Sequence, residues 1–157
     1  MPKRCSMRWE KAFTLIELLA TMTIILLLTT LAMPLARNQL RRQREIELRR
    51  DLRTMRQAID RYKDYSDRGM IPMKVDTLGY PPDLQTLVDG VAAKGTAKGT
   101  YKFLRRIPVD PTTGTAEWNL RSMQDDPDSQ SWGGQNVFDV TSKSQETALD
   151  GTHYADW

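Results

Sequence analysis

Residues 13–36 read FTLIELLATMTIILLLTTLAMPLA, twenty-four positions with a single charge, Glu17. Such a run needs an apolar environment, because moving one Leu or Ile side chain out of water is worth roughly 1.5–3 kcal/mol. A helix rising about 1.5 Å per residue covers roughly 36 Å here, against a bilayer hydrocarbon core of about 30 Å. The run therefore predicts a transmembrane helix. Basic residues flank it on both sides, and the positive N-terminal flank is expected to stay cytoplasmic. No Gly or Pro occurs between Asn38 and Tyr65, so the helix is expected to continue to about Asp67. Within that extension Leu48, Leu52, Met55, Ile59 and Tyr62 recur at steps of four and three and form one apolar stripe. It is read as a seam against the chain's own head in preference to a partner groove. Glu45 and Arg49, four apart, can pair on the solvated face.

Four segments follow: a basic leader over 1–12, the apolar helix over 13–36, an amphipathic continuation over 37–67, and a small head over 68–157. A head of that size has a limited core. The only cysteine, Cys5, lies in the leader, so no disulfide is available to support it. Gly69, Pro72 and Gly79 end the long helix in a loop. Tyr80 to Val88 reads as a short helix entered through proline, with Leu84, Leu87 and Val88 on one side and Gly90 at its end. Residues 91–100 read as a small, flexible surface loop. Trp118 and Leu120 alternate inward, and Asn136 to Thr141 is the last strand candidate. The expected fold class is α+β: a long N-terminal helix, half transmembrane and half amphipathic, packed against one small antiparallel sheet.

The net charge of +3 is concentrated in the leader, where Lys3, Arg4, Arg8 and Lys11 face only Glu10. Without residues 1–12 the chain is neutral, but unevenly so. Residues 37–68 hold 11 Lys/Arg against 6 Asp/Glu, and residues 107–157 hold 2 against 9. That asymmetry suits subunits stacked with complementary surfaces. It does not suit nucleic acid, because Glu45, Glu47 and Asp51 interrupt the arginines and no aromatic residue interleaves. His153 is the only histidine, and no nucleophile–base set or phosphate loop can be assembled, so no enzymatic activity is expected.

A carboxylate early in a membrane helix costs at least a few kcal/mol unless it is paired or lies near the interface. Glu17 is thus either a charge tolerated near the headgroups or a partner for a cation on another chain. Cleavage before Phe13 would create such a cation, the new amino group. The stretch Lys11-Ala12-Phe13-Thr14-Leu15-Ile16-Glu17-Leu18-Leu19 resembles the processing site of type IV prepilins and type II secretion pseudopilins. The resemblance implies that a prepilin peptidase/methyltransferase cuts between Ala12 and Phe13 and methylates Phe13. It also implies that Glu17 attracts the N-terminus of an adjacent subunit. Pro34 sits where family members commonly carry a proline, and it is expected to kink or locally melt the helix. Ala12 stands where the family usually has Gly; it is still small, so slower cleavage is expected. A secretory signal cut after Ala32 or Ala36 is the rival, but secretory apolar regions are shorter and lack an early acid.

The head residues Tyr80-Pro81-Pro82, Ile107-Pro108, Asp110-Pro111, Trp118, Val137 to Val140 and Ala148 to Thr152 resemble those of the major pseudopilin class. The resemblance implies a helical homopolymer in the periplasm, drawn from the bacterial inner membrane by an assembly platform and accompanied by minor pseudopilins. Its role would be to drive protein export. A type IV pilus subunit and a single-span periplasmic binding protein that never polymerises are the alternatives. Family members commonly fix the C-terminal loop with Ca2+, for which Asp139, Ser142, Asp150 and Asp156 are the candidate ligands here. The family's glycine-rich spacing is not reproduced over 141–147, and a simple Asp150-Gly151 turn with Asp156 as a tail charge stays open.

Overall fold

The computed structural model describes residues 13–95, 99–126, 129 and 131–157, with positions 31–36 described as backbone only. Residues 1–12, the expected leader with Ala12 at its end, lie outside those residues, as does the side chain of Pro34. Helix α1 runs Leu15–Asp67, followed by a 3-10 turn at Val75–Thr77, helix α2 at Leu84–Asp89, and a second 3-10 turn at Tyr154–Asp156. Strands β1 (Val91–Ala92) and β2 (Thr100–Tyr101) form one antiparallel pair, and β3 (Asn119–Arg121) and β4 (Asp139–Thr141) form another. The class is α+β. The single sheet expected from the sequence is instead two separate two-stranded sheets.

Two compact units divide the chain, one up to Leu40 and one from Arg41 to Trp157. In the first unit, every described side chain from Phe13 to Thr30 is exposed. Among the described residues no helix is long and apolar enough to cross a membrane. The described apolar side chains of α1, Leu15 to Thr30, cover about 24 Å against a core of about 30 Å, and the last six positions of the expected span fall outside them.

In the second unit the apolar stripe of α1 is the floor of the core. Leu48, Leu52, Met55, Ile59 and Tyr62 are all buried, together with Leu84 and Leu87 of α2, Leu104, Trp118, Val137, Val140 and Tyr154. The stripe therefore faces its own head. Helix α1 ends as Gly69 predicts. With φ at +69°, Gly69 donates its amide to Ser66 O (2.9 Å) while the Met70 amide reaches Tyr65 O (2.9 Å), the paired bonds of a Schellman cap. Helix α2 is capped by Asp83, whose Oδ1 accepts from the Thr86 amide at 2.7 Å. The two prolines precede this cap and do not form the first turn.

The segment 91–100 differs from the expected loop, because its two ends pair with Val91 opposite Tyr101 and Ala92 opposite Thr100. Phe103 then leads back to α1, edge-on to Tyr62 at 5.2 Å and to Tyr65 at 5.4 Å between ring centroids. In the second pair, Leu120 opposes Val140 and Arg121 opposes Asp139. Strands this short satisfy few backbone groups, and side chains supply the remainder. Trp118 Nε1 donates to Pro108 O at 3.1 Å, and Ser122 Oγ to Asn136 O at 2.9 Å.

Candidate functional site

Two regions gather the residues singled out by sequence. The first is the start of α1. Thr14 precedes the helix and accepts the Glu17 amide both on its carbonyl (3.1 Å) and on Oγ1 (3.3 Å). The spacing Thr14-x-x-Glu17 is that of a capping box, and it places Glu17 in the first turn, at the positive end of the helix dipole. Phe13 and Glu17 are both exposed, and among the described residues the Glu17 carboxylate meets no cation. The hydroxyls further along turn inward onto their own helix. Thr21 donates to Leu18 O, Thr23 to Leu19 O and Ala20 O, Thr29 to Ile25 O and Thr30 to Leu27 O, all between 2.7 and 3.0 Å. A hydroxyl satisfied in this way presents mainly its methyl outward. Glu17 is thus the one charge on an otherwise apolar surface from Phe13 to Thr30.

The second region joins α1 to the C-terminal segment, and Arg56 is its centre. Its Nε donates to Asp139 Oδ1 at 2.6 Å, and Nη2 lies 3.3 Å from Asp139 Oδ2, 3.1 Å from Val140 O and 2.5 Å from Trp157 O. Two turns earlier, Arg49 bonds Asp150 Oδ2 at 3.0 Å and lies 3.9 Å from the centre of the Trp157 ring. Earlier still, Glu45 Oε1 accepts from the Leu149 amide (2.7 Å) and the Tyr154 hydroxyl (3.1 Å). Burial and then the Glu45 carboxylate raise the Tyr154 hydroxyl above its usual pKa. Glu45 and Arg49 consequently serve the C-terminal segment and not each other, which corrects the expected i,i+4 pair.

The four calcium candidates are dispersed among these contacts. Asp139 holds Arg56. Ser142 Oγ donates to Asp110 Oδ2 at 2.6 Å and accepts the Ser144 amide at 3.0 Å. Asp150 Oδ1 accepts from the Thr152 hydroxyl (2.6 Å) and amide (3.0 Å). Those bonds, and then Arg49, hold its carboxyl below the usual range. Asp156 is exposed in the second 3-10 turn, on the wall of an open groove of about 600 Å3 that it shares with Arg121, Trp132 and Lys143. Among the described residues no three His, Cys, Asp or Glu side chains group as a metal would require.

Sequence reading missed Arg56 and the structural role of Asp110. Asp110 is fully buried and accepts from Thr112 N (2.7 Å), Thr112 Oγ1 (2.5 Å) and Ser142 Oγ, tying the turn after Pro108 to the end of β4. Only the Asp110-Pro111-Thr112 spacing, that of an Asx turn, signals this role in advance. No protein-family model, no curated protein and no solved structure matches the chain.

Proposed function

We propose that this chain is a structural subunit of a type II secretion pseudopilus, a periplasmic helical filament that drives protein export across the outer membrane. The observation that carries the reading is the surface of Phe13 to Thr30, exposed and apolar, with its hydroxyls turned inward and Glu17 as its single charge. A surface of that kind is suited to lipid before assembly and to the same helix of other copies afterwards. Cleavage by a prepilin peptidase/methyltransferase between Ala12 and Phe13 would supply the methylated amine that neutralises Glu17. An inner-membrane assembly platform and minor pseudopilins are the implied partners. In this reading the chain performs no catalysis and binds no nucleic acid.

The test separates the charge of Glu17 from its place in the capping box. Glu17→Gln retains a side chain able to reach back to the Thr14 amide, whereas Glu17→Ala retains neither reach nor charge. Both variants are expected to insert in the inner membrane at the parent level and to lose sedimentable filaments. Filaments unchanged in Glu17→Ala would refute polymerisation through this carboxylate and favour a plain anchor. Loss in Glu17→Ala with retention in Glu17→Gln would assign Glu17 to helix capping.

A further inference from the structure

The family resemblance implies a calcium ion holding the C-terminal loop, and the residues present do not fit one. Calcium takes six to eight oxygens and favours carboxylates. Asp139 has both oxygens on Arg56, and its Oδ1 also accepts the Val140 amide at 2.8 Å. Ser142 is committed to Asp110 and Ser144, and Asp150 to Thr152 and Arg49. The acceptors that do converge are Asp139 Oδ1 and Oδ2, Val140 O and Trp157 O, and what they converge on is a guanidinium.

We propose that Arg56 takes the place of a metal ion in this head, so that the segment from Asp139 to Trp157 is held on α1 by a side-chain cation and needs no calcium. One carboxylate and two main-chain carbonyls are calcium-type donors, but a planar, permanently charged fork satisfies them along directions a spherical ion does not require. A divalent cation approaching the same oxygens would meet the positive charge of Arg56. The partly buried pair, with Arg56 39% and Asp139 25% exposed, has the position for such a role, bridging α1 to β4. Arg49 and Glu45 extend the attachment along the same helix. The proposal holds whether or not the chain polymerises.

The experiment uses the full chain in detergent micelles, with thermal unfolding and tryptic cleavage after the exposed Lys143 followed by mass spectrometry. The parent chain is expected to melt within about 1 °C in about 2 mM calcium or in chelator, since a ligand with no site shifts nothing. Arg56→Met, which keeps the aliphatic stem, is expected to melt several degrees lower and to be cut after Lys143 about tenfold faster. Calcium that stabilises Arg56→Met but not the parent supports the exchange as well, because it would fill oxygens the guanidinium has left. Should Arg56→Met fail to fold, Asp139→Asn removes the charge at constant shape and is expected to accelerate cleavage in the same sense. A parent chain stabilised by several degrees on adding calcium overturns the proposal. So does an unchanged melting point and cleavage rate in Arg56→Met, or in Asp139→Asn where that variant stands in for it.

Discussion

Two isoleucines on one helix separate the packing of α1 into its two faces. Ile59 is 0% exposed in the core, and Ile46 is 61% exposed on the opposite side. Ile59→Ala removes three carbons, worth about 2.4 kcal/mol in transfer at about 0.8 kcal/mol each. A residual cavity of roughly 60 Å3 adds about 1.4 kcal/mol. The total, about 4 kcal/mol, is a large part of the 5–15 kcal/mol or so that holds a domain folded. With an unfolding entropy of about 0.25 kcal/mol/K for a unit the size of residues 41–157, melting should fall by about 15 °C. Ile46→Ala should stay within about 0.5 kcal/mol and lean towards stabilisation, since Ala is the better helix former. Near-ultraviolet circular dichroism of the full chain in detergent follows tertiary melting through Trp118 and Trp132. Equal shifts for the two variants, or a loss below about 1 kcal/mol for Ile59→Ala, would refute the assignment of the stripe to the chain's own core.

Backbone geometry supports a second expectation at Gly90, where φ is +86° and an added Cβ would stand 2.7 Å from Tyr101 O. Gly90→Ala should cost about 2 kcal/mol or more in urea unfolding with the slope unchanged, and a neutral result would contradict the close approach of α2 to β2. Asp51 has a raised carboxyl pKa, chiefly through burial and then through Glu47, against the opposing pull of Arg50 and Arg106. A raised folded pKa means that the folded state favours the protonated form. The associated stability is complete below about 3.8 and is lost as pH rises through the raised value. Asp51→Asn should therefore melt above the parent at about pH 7, with the gap closing near pH 3.5; a gap independent of pH would show that charge is not its cause.

The features legible in the sequence were periodic or punctuated ones. Leu48 to Tyr62 announced its buried face by spacing alone, and Gly69 announced the end of α1, because both depend on neighbours within a turn or two. The strands were less legible. Strands of two and three residues offer little alternation to read, and Val91-Ala92 lies in a composition that resembles a loop. The Arg56–Asp139 attachment joins positions 83 apart, and nothing local distinguishes Arg56 from its neighbours Arg49, Arg50 and Arg53. Glu45 illustrates the same limit. Its i,i+4 geometry with Arg49 was available, but the Leu149 amide and Tyr154 hydroxyl offered fixed donors, and Arg49 found both a carboxylate and an indole face.

These attachments change what the charge partition means. Read along the chain, basic residues over 37–68 and acidic residues over 107–157 suggest surfaces reserved for neighbouring subunits. In the folded head, Arg49 and Arg56 are spent on Asp150 and Asp139 of the same chain, so part of the complementarity is satisfied internally. The head has reason to use charge this way. Its strands are too short to hold a C-terminal segment by ladder bonds, and the one cysteine of the sequence, Cys5, lies outside residues 41–157. A long helix whose apolar stripe is buried in the core can serve as a base. Side chains one and then two turns apart on it, Glu45, Arg49 and Arg56, grip the segment at fixed spacing. In the proposed filament, the arginines left for contacts between copies are then those that project from the helix without such partners in the head, with Arg41, Arg42 and Arg44 all exposed ahead of the grip.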